Sequence, residues 1–114
     1  MAWFKTVKPG NVVTAPPVVA EIEYGLNRLK KSSRKYQLLV VEKERLLGVI
    51  SVLNWNPAAS RYFGKIKADL EIRGLLIDDF DIAISAIAMS HSCSVITANL
   101  KHFQRVKGLD SCHW

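Results

Sequence analysis

The stretch Ile82-Ala83-Ile84-Ser85-Ala86-Ile87-Ala88-Met89 constrains the fold of this chain more than any other. It carries no charge and is apolar nearly all the way round a helical wheel. Such a helix cannot lie on a surface, because it has no face to give to water; it must be enclosed, here against a sheet. The helix is expected to open at Asp79 or Phe80 and to end near Ser90. Acids at its start suit the positive end of the helix dipole.

The segments around it supply that sheet and its other cover. Val12-Val13-Thr14 is a β-branched run and predicts a buried strand. Thr14 is placed to cap the helix that follows, whose first turn tolerates Pro16 and Pro17. Val18, Ile22, Leu26 and Leu29 then recur at helical spacing and build one apolar face. Ser32-Ser33 breaks the pattern and can cap a second helix, with a weaker stripe of Tyr36, Leu39, Val40 and Leu47. The two helices are expected to form a hairpin over residues 17–47.

Residues 48–53 read as another strand, with Val49, Ile50 and Val52 β-branched. Asn56-Pro57 is a helix start; Ala59, Phe63, Ile66 and Leu70 form its buried face, and Gly74 is its stop. Residues 94–97 predict a strand, 100–104 a short helical turn, and 110–114 an edge strand. Residues 2–7 read as the last turns of a helix. Strands that alternate with helices predict an α/β fold with a mainly parallel central sheet.

Length and composition agree with a single domain. The chain has 114 residues, 49% hydrophobic and 23% charged, and no repeat or linker divides it. No apolar run is long enough to cross a bilayer, and the first ten residues lack a secretory signal, so a cytoplasmic protein is expected. Cys93 and Cys112 are too few for a disulfide framework. With His91 and His113 they could make a zinc site, although the usual ligand spacing is missing; the alternative is two thiols beside unrelated histidines. A net charge of +6 favours a polyanionic partner. The cluster Arg28, Lys30, Lys31, Arg34 and Lys35 is either a phosphate-contacting edge or, preferably, a solvated helix end.

In an α/β sheet, ligands sit beyond the carboxyl ends of the strands. Glu21 follows the first such strand, Asp81 opens the buried helix, and Thr97 and Asn99 follow the strand at 94–97. Oxygen donors gathered there suit a hard cation such as magnesium or manganese, which can activate water for phosphodiester hydrolysis. Each residue also has a plain structural reading: helix-start acids for Glu21 and Asp81, a turn residue for Asn99.

Ala20-Glu21-Ile22-Glu23-Tyr24-Gly25 resembles the A-E-[LI]-x-x-G motif of PIN-domain ribonuclease toxins of the VapC type. Residues 77–86 resemble the D-x-x-I-A-A segment of that family, and Ile96-Thr97-Ala98-Asn99 through Phe103 its V-T-N-N-x-x-x-F segment. Val106-Lys107-Gly108-Leu109 and Trp114 resemble its closing V-x-G-L…W. The order and spacing of these motifs, over residues 14–114, make the match specific.

The resemblance implies a PIN-like three-layer α/β fold. It also implies a Mg2+- or Mn2+-dependent endoribonuclease, the toxin of a type II toxin–antitoxin system. It assigns a catalytic and metal-binding role to Glu21 and Asp81. Asn99 would orient metal or water, and Thr97 would support the site through its hydroxyl. The implied partners are RNA as substrate, a VapB-like antitoxin that covers the site and meets the helical hairpin, and a second copy in a homodimer.

Ala98 and Ser85 are mild departures from the family pattern. A larger one is at the start: the family opens with a strand ending in L-D-T-N, and here no Asp or Glu precedes Glu21. The expectation is a chain that lacks the first strand and most of the first helix, through real truncation or a start codon set too far downstream. Such a chain would be one carboxylate short, and the strands beside the gap would lose their ladder partners. The alternative function is a catalytically impaired PIN remnant that only binds antitoxin or RNA. A basic nucleic-acid-binding module without enzymatic ancestry would leave the Glu21, Asp81 and Thr97–Asn99 pattern unexplained.

Overall fold

A computed structural model describes residues 2–5 and 12–113. Nine elements follow in order: β1 (Ala2–Lys5), β2 (Val12–Val13), α1 (Pro16–Asn27), α2 (Arg34–Val49), α3 (Pro57–Ile72), α4 (Asp79–Ser90), β3 (Ser94–Thr97), α5 (Leu100–Phe103) and β4 (Ser111–His113). The sheet order is β2-β1-β3-β4. β3 and β4 pair in parallel, and β1 pairs antiparallel with both β2 and β3. β2, β3 and β4 therefore share one direction, and β1 alone runs against them. The expectation of a mainly parallel sheet holds for three strands of the four.

Two expectations about the amino end are corrected. Ala2–Lys5 is a strand and not the end of a helix; residues 6 and 7 of that expected helix lie outside the described residues. The expected loss of ladder partners is not seen at β2 and β3, because β1 lies between them and pairs with both. Buried backbone groups demand partners, and β1 supplies them to both neighbours.

α4 is enclosed as its sequence requires, with Ile82, Ile84, Ser85, Ala86, Ile87 and Ala88 all buried. It divides the core in two. Ile84, Ile87 and Ala88 join Val13, Val18, Val95 and Phe103 on one side. Ile82 and Ala86 join Ile66, Leu70, Ile77 and Val106 on the other. The one polar side chain within that run, Ser85, donates its hydroxyl to the Asp81 carbonyl at 2.8 Å, so its burial leaves no donor unsatisfied.

Local signals for α3 and α2 act as read. The Asn56 side chain accepts from the Ala59 N–H at 2.8 Å with Pro57 in the first turn, and Gly74 ends α3 at φ +68°. Ser33 caps α2 by accepting from the Tyr36 N–H. α1 and α2 form the hairpin, tied by Lys43 Nζ to Glu23 Oε1 at 2.6 Å. α2 has no buried residue, which matches its weak stripe.

Two further readings fail. Thr14 does not cap α1: Ala15 is the cap residue, and the Thr14 side chain is turned into the core without a hydrogen-bond partner. Residues 48–53 are not a full strand, because α2 continues through Val49 and Ile50 N–H still reaches the Leu46 carbonyl at 2.9 Å. Only Val52 makes a parallel bridge, to Thr14. A strand needs a neighbour along its length, and Thr14 offers one at a single position.

Candidate metal and RNA site

α1 and α4 bring Glu21 and Asp81 to one edge of the sheet, where β3 ends at Thr97 and α5 begins after Asn99. The three acids at the start of α4 have different duties. Asp78 caps the helix by accepting from the Phe80 N–H at 2.7 Å. Asp79 pairs with Lys67 at 3.1 Å. Asp81 faces the site. Behind them, the Arg105 guanidinium donates to the Leu76 carbonyl at 3.2 Å and fixes the turn that leads into α4.

Water lost around the Glu21 carboxylate raises its pKa above 4.5, and the Asp81 charge and then that of Asp78 push it further. The two acids are therefore close enough to repel. Thr97 is buried at 1% exposure, and its hydroxyl accepts the Asn99 N–H at 2.9 Å, so it fixes the turn that carries Asn99. The Asn99 side chain makes no cap bond to α5.

His102 joins the predicted residues. Its Nδ1 lies 3.2 Å from Asp81 Oδ2 and 2.8 Å from Asn99 Nδ2. It falls at an unspecified position of the resembled segment that runs from Asn99 to Phe103. The one signal was its position three residues beyond Asn99, on the same side of a one-turn helix.

Among the described residues, no three His, Cys, Asp or Glu side chains form a ready-made metal cage. The zinc reading fails on that count, and His91 is engaged elsewhere, with Nε2 3.0 Å from the Asn54 carbonyl. The donors at the sheet edge do fit a hard divalent cation. Magnesium commonly takes one or two carboxylates and completes its shell with water and substrate phosphate. A cation would also relieve the repulsion between Glu21 and Asp81. A cleft of about 300 Å³ adjoins Glu21, lined further by Ile22, Gly25, Leu26 and Leu39 of the hairpin.

Among the described residues, no helix is long and apolar enough to cross a membrane. The PIN domain family pattern matches residues 2–109. Ribonuclease VapC2 of Haemophilus influenzae is 31% identical over 105 residues, covering 92% of this chain and 76% of the relative. Ribonuclease VapC2 of Rickettsia felis is 26% identical over 107 residues, covering 94% and 77%. Among solved structures, VapBC-1 of nontypeable Haemophilus influenzae superposes with a TM-score of 0.80 at 28% identity, covering 95% of this chain and 78% of that one. With a fold and a sequence pattern that agree over nearly its whole length, the chain belongs to the PIN domain family.

Proposed function

We propose that this chain is the toxin of a toxin–antitoxin pair, an endoribonuclease that uses Mg2+ or Mn2+. The observation that carries the reading is the pairing of two mutually repelling carboxylates, Glu21 and Asp81, beside Asn99 at the carboxyl ends of parallel strands. Glu21, Asp81 and the Asn99 side-chain oxygen would hold the cation. When bound, the cation supplies charge neutralisation at a phosphodiester and an activated water. Thr97 holds the Asn99 turn, and His102, protonated on Nδ1, would hold Asp81.

The reading includes two protein partners, and the likeness to VapBC complexes supports the first. One is a VapB-like antitoxin laid along the hairpin cleft beside Glu21. The other is a second copy of the chain.

The test is cleavage of single-stranded RNA with Mg2+ or Mn2+, before and after EDTA. Glu21→Gln and Asp81→Asn are each expected to lower cleavage by at least a hundredfold and to weaken Mn2+ binding. Unchanged cleavage in both variants would remove the site. A wild-type chain that binds antitoxin and cuts nothing would leave a binding remnant.

A further inference from the structure

Glu21, Tyr24 and Arg28 lie at positions i, i+3 and i+7 of α1 and its cap, which places them along one face of the helix. Arg28 is stacked on Tyr24, with its guanidinium carbon 5.5 Å from the ring centroid. Tyr24 is nevertheless 66% exposed, so one face of the ring is engaged and much of the rest is open to solvent. Arg28 is exposed too, and beyond it come Lys30, Lys31, Arg34 and Lys35, with no acid between Glu23 and Glu42. An acid at the candidate cation site is thus followed, within about 10 Å along the helix axis, by an exposed aromatic ring and then by unbroken positive charge.

From this arrangement we infer that Tyr24, backed by Arg28, is a stacking platform for an unpaired nucleobase next to the scissile phosphate. The inference rests on the ribonuclease reading and adds to it the residue that would hold an unpaired base beside the cut. An unpaired base offers a π-face to an aromatic ring, and a duplex does not, because its bases are already stacked. Arg28 strengthens the platform in two ways. It holds the ring orientation through its cation–π contact, and its charge meets the backbone of the same strand. The basic run beyond it continues that attraction without reading sequence.

The alternative is that Tyr24 and Arg28 form only a helix-surface pair at the end of α1. Binding separates the two. The probe is a fluorescein-labelled single-stranded oligoribonucleotide, followed by anisotropy in EDTA so that cleavage is suppressed. Tyr24→Ala is expected to weaken binding about tenfold, within the range for loss of one base–aromatic stack. Tyr24→Trp and Tyr24→Phe are expected to stay within about twofold of wild type, and Tyr24→Leu to match Tyr24→Ala. A fully paired duplex of the same sequence should bind all four variants alike. Circular dichroism checks that the exposed substitutions leave the fold intact.

Wild-type binding by Tyr24→Ala, equal binding by Tyr24→Leu and Tyr24→Phe, or an equal loss on duplex would each overturn the platform. So would a wild-type chain with no affinity for the oligonucleotide. Stack-dependent binding without metal-dependent cleavage would sink the nuclease reading and leave the platform standing. Cleavage by wild type with Tyr24→Ala binding normally would do the reverse.

Discussion

His102 Nδ1 stands 3.2 Å from Asp81 Oδ2, while the same nitrogen stands 2.8 Å from the Asn99 side chain. With its proton on Nδ1 the imidazole donates to Asp81 and ties α5 to the start of α4; the same nitrogen cannot then accept from the Asn99 amide. Groups that orient a ligating carboxylate typically contribute ten- to a hundredfold to affinity or activity. His102→Ala is therefore expected to reduce RNA cleavage by about tenfold and to raise the Mn2+ concentration needed for half activity. His102→Asn, whose amide can reach the place of Nδ1, should recover part of the loss, and His102→Leu should not. Full activity in His102→Leu would show that the contact has no role in positioning.

The repulsion at Glu21 gives a pH-dependent signature. Its folded pKa is raised above the ordinary 4.5, so the folded chain binds a proton more tightly than the unfolded chain. The charged carboxylate therefore destabilises the cation-free fold above the folded pKa, and that penalty is absent below 4.5. Glu21→Gln should raise the Tm of the cation-free protein by about 1–2 °C at neutral pH and leave it unchanged at pH values below 4.5. A loss of Tm at neutral pH would contradict the cause assigned to the shift.

Thr14 presents a buried hydroxyl without a partner. Thr14→Val replaces that hydroxyl with a methyl of the same shape. It should raise stability by about 1 kcal/mol, because the desolvated oxygen gains nothing from its position. Urea denaturation reads this directly. A destabilised variant would point to a water or side chain that satisfies the hydroxyl.

The hairpin should open more easily than the rest of the fold. α2 buries no residue, and the Lys43–Glu23 ion pair ties it to α1. Lys43→Met should speed amide hydrogen exchange across α2 and leave exchange in α4 unchanged. High salt should act on the wild type in the same direction. Equal protection in α2 and α4 would show that the hairpin is held by more than this contact.

The parts of the fold legible in the sequence are those in which one residue settles the matter locally. Asn56 and Pro57 start α3 by supplying an acceptor and a preset φ, and Gly74 stops it by accepting φ +68°. α4 was legible because eight uncharged residues in a row, all apolar but Ser85, have one destination. What was not legible depended on partners distant in the chain. Val49, Ile50 and Val52 favour a strand, yet only Thr14 is available beside them, so the helix keeps Val49. Trp3 and Phe4 hold no pattern of their own, and their strand exists because β2 and β3 both need pairing. Thr14 has the chemistry of a cap and is drawn inward by the core instead.

The candidate site divides in the same way. The likeness of three ordered segments pointed to Glu21, Asp81, Thr97 and Asn99, and the fold places Asp81 and Asn99 each within 3.2 Å of His102 Nδ1, with Thr97 bonded to the Asn99 N–H. His102 had no motif to mark it. Its contact with Asp81 spans 21 positions and exists only once α5 is set against α4.

The reversed direction of β1 has a practical result. Ala2 and His113 both stand opposite Thr97, one on each neighbouring strand. They are therefore about 10 Å apart, at the edge of the sheet that holds the carboxylates. Labels placed at Ala2 and His113 would sit side by side across β3, and an increase in their separation would report the parting of β1, β3 and β4 directly.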